Sequence, residues 1–209
     1  MSAVKLVTIT PDAEQLIAYC ARVSNPANQY NVETAPRLLR YLMDHGHWSP
    51  FEMAHMVVEI TATRDIARQL LRHRSFSFQE FSQRYAEVGT SATAGILREA
   101  RLQDTRNRQN SIYSDDEALQ DWWADQQQQV EHIAHMVYSS ALSKGIAKEV
   151  ARAVLPEGLT PTRMYMAGSI RSWIHYCKVR CGPETQLEHR EIADQCLAIL
   201  KEQLPSLPL

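Results

Sequence analysis

The chain has 209 residues, 44% of them hydrophobic and 22% charged, and a formal net charge of −2. That is enough chain for one domain with a sizeable core, in the ordinary range of a soluble globular protein. The near-zero charge argues against an overall basic field for a nucleic-acid polymer, and no apolar run is long enough to span a bilayer.

Val4 to Thr10 alternates and is rich in β-branched residues, so it reads as a strand rather than a secretion signal. Thr10-Pro11 opens a helix running to about Ala21, and Asn25-Pro26 marks a loop. Thr34 to Asp44 is a second helix, with Leu38, Leu39, Leu42 and Met43 on its apolar side and Gly46 as its stop. His47 to Glu52 is a turn into a strand over Ala54–Thr63. A helix follows from Arg64, carrying Ile66 and Leu70 on its apolar side. Val88 to Arg108 has no clear pattern beyond a strand expected at Ile96–Arg101, and Asp104–Asn110 reads as a surface loop. Asp115 to Leu142 is one long helix, with Ser114 as its expected cap and acids in its first turn. On it, Trp122-Trp123 is expected to give one core ring and one interface ring, His132 and His135 are structural, and the glutamines at 126–129 carry no assigned role. Gly145 ends that helix. Ile146–Val154 is a short helix, Thr160–Met166 a strand, Ser169–Val179 a helix and Glu184–Leu204 the last helix. Few strands, separated by helices without regular βα alternation, predict an α+β fold: a small mixed or antiparallel sheet packed with several helices, in a single domain over 1–209.

The chemistry concentrates in Arg72 to Tyr85. Arg64, Arg68 and Arg72 fall four apart on the predicted helix and would stack on one face. Like charges so spaced cost about 0.2–0.5 kcal/mol per pair unless neutralised. Either carboxylates from elsewhere in the fold or a bound phosphate would do this, since guanidinium groups match phosphate oxygens bidentately. After the helix, Phe76, Phe78 and Phe81 alternate with Ser75, Ser77, Gln79, Glu80 and Ser82, supplying rings to stack and polar edges to hydrogen-bond, as a nucleotide needs. Glu80 and Arg84 could pair at i, i+4.

Seven glycines form no GxGxxG and no GxxxxGK[ST] pattern. A bound dinucleotide would therefore be held by side chains, and Arg72, His73 and Arg74 are the densest cationic cluster available. Ser82 has no GxSxG elbow, which favours binding over nucleophilic attack. Cys20, Cys177, Cys181 and Cys196 show no CxxC pattern; Cys177 and Cys181 are one turn apart with His175 and His189 nearby, yet buried thiols in a reducing cytoplasm are expected rather than a metal site. Arg180, at the end of the Ser169–Val179 helix, could simply bond the last carbonyls.

The pattern RHR-x-x-S-x-(N/Q)-E-x-S-x-R-Y, met here at Arg72, His73, Arg74, Ser77, Glu80, Ser82, Arg84 and Tyr85, resembles the signature of the flavin-dependent thymidylate synthases. Ala21-Arg22-Val23-Ser24, His45-Gly46-His47 with Pro50-Phe51-Glu52, Glu149 to Arg152 with Leu155-Pro156, and Arg171-Ser172 with Arg180 look like further blocks of that family in the expected order. The resemblance implies methylation of deoxyuridine monophosphate (dUMP) with FAD, and with NADPH and 5,10-methylenetetrahydrofolate as co-substrates, by a cytoplasmic homotetramer with shared active sites. It implies substrate contacts at Gln69, Arg72, Glu80, Ser82, Arg84, Arg152 and Arg180, with Arg180 polarising the uracil. It implies flavin contacts at Ser24, His47, Arg72, His73, Arg74, Gln79, Glu80, Arg171 and His175. Gln79, Ser169 and His175 stand where that family commonly has Asn, and Met53 where it commonly has His. Two other readings compete: a flavin-dependent uridylate hydroxymethylase, and a non-catalytic nucleotide- or RNA-binding module that would be colourless.

Overall fold

A computed structural model describes residues 2–88 and 95–209. The predicted stretch Val88–Arg108 therefore falls partly outside the described residues. Among the described residues, six strands and seven α-helices follow in the order β1 (Ala3–Ile9), α1 (Ala13–Ala21), α2 (Ala35–Asp44), β2 (His55–Thr63), α3 (Arg64–Leu70), β3 (Ser77–Glu80), β4 (Arg101–Gln103), β5 (Ser111–Tyr113), α4 (Glu117–Ser143), α5 (Lys148–Ala151), β6 (Pro161–Ser169), α6 (Ile170–Arg180) and α7 (Leu187–Gln203). The fold is α+β, with a sheet in the order β1-β2-β6-β3 and a separate β4-β5 hairpin.

The chain gathers into two compact units. A long-helix unit takes Thr61–Arg72 and Glu80–Met164, and a four-helix unit takes Ala3–Ile60, His73–Gln79 and Tyr165–Leu209. In the four-helix unit, Thr10 N–H donates to the carbonyl of His55, and Ile170 N–H to that of Ala54, at 2.9 and 2.8 Å. In the long-helix unit, Arg64 N–H meets the Thr160 carbonyl at 3.0 Å and Phe81 N–H that of Arg163 at 2.9 Å. Strand ends thus meet strand starts, the mark of antiparallel pairing.

The core of the four-helix unit is built from Ile17, Leu39, Phe51, Met56, Met166, Trp173, Ile192 and Leu200, all buried. The Trp173 indole N–H is satisfied by the Met56 carbonyl at 3.0 Å. Gly46, at φ 69°, ends α2 in the left-handed conformation that costs glycine least. In the long-helix unit, Val88, Tyr138, Ala151 and Leu155 form a buried cluster. The Tyr138 hydroxyl accepts the Val88 N–H at 3.2 Å.

Three expectations for the long-helix unit are corrected. The cap of α4 is Asp116, whose carboxylate accepts the Leu119 N–H at 3.1 Å; Ser114 instead accepts from Asp116 N–H. Residues 96–100 are not strand. Their backbone is held by side chains of α4: Gln127 brackets Arg98 through its N–H (2.9 Å) and carbonyl (2.8 Å), and Gln120 does the same to Ala100 (2.7 and 3.0 Å). An amide side chain offers the same donor and acceptor as a neighbouring strand, so ladder-like bonding arises without one. Neither Trp122 nor Trp123 is a core ring, at 56% and 37% exposure.

Candidate functional site

The arginine stripe resolves into individual partners. α3 stops at Leu70, so Arg72 leaves the helix and is exposed. Arg68 donates twice to Glu157 Oε1, at 2.7 and 3.2 Å. Arg64, buried, lies 3.2 Å from Glu80 Oε1, a Coulombic pair without hydrogen-bond alignment; Thr162 donates to that oxygen at 2.9 Å. Two of the three guanidinium groups are thus neutralised from within the long-helix unit. The Glu80–Arg84 pair does not form, because Glu80 sits on β3 and faces Arg64.

Arg84 instead lies 3.9 Å from Glu149. Arg152 bonds the Glu149 carbonyl at 3.4 Å. Arg84, Tyr85, Lys148 and Glu149 border an open cavity of about 520 Å³. At 3.9 Å, with both side chains more than half exposed, the Arg84 pair is weak, which leaves its guanidinium available to an anion. Ser82 Oγ accepts the Arg84 N–H at 3.4 Å, and no imidazole bonds it among the described residues. Gln69 is half-buried near the end of α3.

In the four-helix unit the predicted flavin contacts divide. Arg171 and His175, one helical turn apart on α6, line a cavity of about 410 Å³ with Trp48, Glu52, Ser75 and Lys178. Glu52 organises it. Its carboxylate accepts from the Ser169 hydroxyl at 2.6 Å and from Arg171 at 2.7 Å. Those bonds, the Ser169 one first, hold the Glu52 carboxyl below the usual carboxylate range. Ser169 also caps α6, accepting the Ser172 N–H at 3.3 Å, so one hydroxyl fixes both the helix start and the carboxylate. Ser24, His47, Arg74 and Gln79 are exposed and are not part of this lining. Ser24 follows Arg22, a buried arginine that bonds the Asn31 carbonyl and the Thr34 hydroxyl and so pins the loop after α1.

Arg180 does not bond the last carbonyls of α6. Its Nε donates to His73 Nε2 at 3.0 Å. His73 stands nearly perpendicular to Tyr176 (5.0 Å between centroids) and His189 (6.0 Å), while Phe76 packs edge-on against Trp173 at 4.7 Å. Sequence reasoning missed this aromatic enclosure. Its only trace was the spacing of Trp173 and Tyr176 on one side of α6. His189, buried, is pushed down to about 4 by burial first and by Arg180 and His73 after it. The four cysteines are unpaired, with Cys177 and Cys196 buried. Burial drives the Cys177 and Cys196 thiols upward and Cys181 to about 11, which makes them poor nucleophiles.

An α+β chain with an arginine-rich strand entry and a cation-lined, indole-walled cavity has the makings of a nucleotide- or flavin-binding protein. The chain belongs to the thymidylate synthase complementing protein family, whose model matches residues 5–206. It is 49% identical to a probable flavin-dependent thymidylate synthase of Paramecium bursaria Chlorella virus 1, over 99% of this chain and 97% of that one. It is 53% identical to a flavin-dependent thymidylate synthase of Synechocystis sp., over 93% and 87%. A crystal structure of a UMP/dUMP methylase, PolB from Streptomyces cacaoi bound with 5-Br dUMP, superposes with a TM-score of 0.83 at 29% identity, covering 99% of this chain and 92% of that one.

Proposed function

We propose that this chain is a flavin-dependent thymidylate synthase that converts dUMP to dTMP, with FAD as its cofactor and NADPH and 5,10-methylenetetrahydrofolate as co-substrates. The observation that carries the reading is the cavity holding Arg171, His175, Lys178 and Trp48 around the Glu52–Ser169 cap. Its cations suit a pyrophosphate and its indole suits a flat ring, and no glycine cradle competes for that task. FAD therefore fits the side chains present: Arg171 and His175 would hold it, with Ser24, His47, Arg72, His73, Arg74, Gln79 and Glu80 the further contacts the resemblance assigns. When bound, the flavin supplies the hydride chemistry that no side chain here can perform.

The protein's own part is placement and charge. Arg72, Arg84 and Arg152 are the cations for the substrate phosphate, helped by Gln69 and Ser82. Glu80 holds Arg64 and Thr162, which keeps β3 in register beside β6. Arg180, already oriented through Nε, offers its terminal nitrogens to the pyrimidine and stabilises negative charge as it grows there. No cysteine nucleophile is required, in keeping with the raised thiols. We also propose that the chain works as a homotetramer, a reading supported by the apolar outer face of α4.

The test is spectral and chemical. Purified chain incubated with FAD should keep a flavin absorption band, release FAD on denaturation, and turn dUMP into dTMP by mass; UMP is run in parallel. A chain that stays colourless would end the enzyme reading, and a hydroxymethylated product would favour the hydroxymethylase. Arg180→Ala should keep its flavin and its melting temperature but lose dTMP formation. A charge-assisted bond is worth about 1.5–3 kcal/mol, about ten- to a hundredfold in dUMP affinity, and turnover should fall further than that. Near-normal turnover would remove Arg180 from the reaction.

A further inference from the structure

Three side chains of α6 share one cavity. Arg171, His175 and Lys178 are spaced four and three residues apart, which puts them on one face of the helix, and all three line the cavity of about 410 Å³. They differ in what they are tied to. Arg171 donates to the Glu52 carboxylate at 2.7 Å, so one lining charge cancels another. Glu52 is engaged a second time, by the Ser169 hydroxyl at 2.6 Å. His175 and Lys178 are exposed and have no hydrogen bond, ion pair or ring contact among the described residues.

The net charge of the lining therefore rests on Lys178. A pyrophosphate diester such as that of FAD carries two negative charges, so one cation leaves it half matched. The lining offers one further group able to answer, because histidine is the side chain that changes charge between about pH 5 and 8. With the cavity empty, nothing in the lining favours a proton on the His175 ring: its neighbours along the helix are cations, and the one carboxylate is engaged elsewhere. A phosphate oxygen beside the ring reverses this. The imidazolium gives it a charge-assisted hydrogen bond, stronger than a neutral ring can offer, and a ligand that favours the charged form draws a proton onto the ring as it binds.

We propose that His175 makes anion binding in this cavity proton-coupled: the imidazolium meets the phosphate, a proton is taken up from solvent with it, and the ligand is released more readily as pH rises. With FAD as the anion, this rests on the function proposed above. The charged groups sharing the cavity with the ring are Arg171 and Lys178 on α6 and Glu52 from the turn before β2, with Arg74 exposed next to the lining Ser75. Glu52, held below the usual carboxylate range by Ser169 and Arg171, stays ionised from pH 6 to 8. Lysine and arginine side chains as classes do not titrate in that window. His189, pushed down to about 4, is silent there too.

The experiment follows FAD binding by flavin fluorescence from pH 6 to 8 in wild type, His175→Asn and His175→Gln. Both replacements keep a hydrogen-bond donor and lose the titratable charge. At pH 8 the three dissociation constants should lie close together. At pH 6 the wild type should bind about tenfold more tightly than either variant, the gain of a charge-assisted over a neutral hydrogen bond. Calorimetry at pH 7 in two buffers of different ionisation enthalpy should show proton uptake with FAD in the wild type and less of it in both variants. Affinities that keep one ratio across the range, or an uptake the variants share in full, would overturn the proposal and leave the flavin reading standing. A wild type that binds no FAD at any pH would overturn both. His175 is exposed, so the fold should tolerate either change, and should the Asn chain prove unstable, the Gln chain, with the better helix former, decides the comparison by the same outcomes.

Discussion

His189 and Glu52 both make the fold sensitive to acid, and the sign follows from how each is held. His189 is lowered in the folded chain, so below its unfolded value of 6.5 the unfolded chain binds a proton that the folded chain refuses. Stability is therefore full above about pH 6.5 and falls as pH drops toward 4. A fall from 6.5 to about 4, at 1.36 kcal/mol per pH unit, amounts to about 3 kcal/mol. Arg180, His73 and the Tyr176 ring are among the groups facing His189. Glu52 is also lowered, so its contribution, present at neutral pH, is lost as pH falls through its folded value, which lies below the ordinary carboxylate range. Urea unfolding at a series of pH values should show His189→Gln losing less stability than wild type between pH 6.5 and 4, with the remaining acid slope still present. Parallel curves would show that His189 is not held neutral. Neither residue's state was legible in the sequence. Glu52 stood in a family block with no partner in view, because Ser169 and Arg171 lie more than a hundred residues away, and His189 was noted only as a neighbour of cysteines. The arginine stripe was legible as a charge problem, and of its two offered solutions, carboxylates from elsewhere proved correct for Arg64 and Arg68.

At the scale of elements, β6 carries one position where nothing but glycine fits. A Cβ at Gly168 would come 2.5 Å from the Phe76 ring. Phe76 is the buried anchor between the Arg72-His73-Arg74 cluster and β3, clasped by Trp173 and Tyr176. Gly168→Ala would have to move a ring that is packed on two sides, and such overpacking costs about 1–3 kcal/mol. The expected outcome is a loss of that size in urea unfolding, together with weaker flavin retention because His73 shifts with Phe76. Unchanged stability would show that the ring has room to yield. Helical periodicity was the strongest signal along the chain: α1, α2, α4, α6 and α7 were each anticipated to within a few residues. The strands were harder. β3 is the alternating Ser77-Phe78-Gln79-Glu80, visible as an alternation yet read for its chemistry, and the β4-β5 hairpin has only three residues on each side, too few for a period to register. The clamp on residues 98 and 100 comes from Gln120 and Gln127, seven apart and hence on one face of α4. That spacing was there to be read, but a polar face is ordinarily assigned to solvent.

For the whole molecule, α4 is the element that a single chain leaves unfinished. Its inward face carries Gln120, Gln127, Ala134 and Tyr138, while Trp122, Val130, Ile133, Met136 and Val137 point outward, each more than 40% exposed. An amphipathic helix on a monomer surface shows the opposite arrangement. Tryptophan, methionine and aliphatic side chains in one exposed stripe have the composition of an interface centre, and this is the physical support for the proposed homotetramer. Burying one isoleucine or valine side chain contributes about 1.5–3 kcal/mol, and placing a carboxylate there without a partner reverses the sign. A Val130→Glu, Ile133→Glu double variant alters two exposed positions of a helix whose buried contacts lie on its other face, so the fold of the chain should survive. Light scattering should give the wild type a mass of four 23.9 kDa chains and the variant a smaller one, with circular dichroism unchanged. A wild type that runs as a monomer would sink the tetramer, and a variant that remains tetrameric would move the interface away from α4. If the variant dissociates and dTMP formation falls with it, while the monomer still binds flavin weakly, the active sites depend on assembly, as the resemblance implies; full activity in the dissociated chain would show that each chain is sufficient by itself.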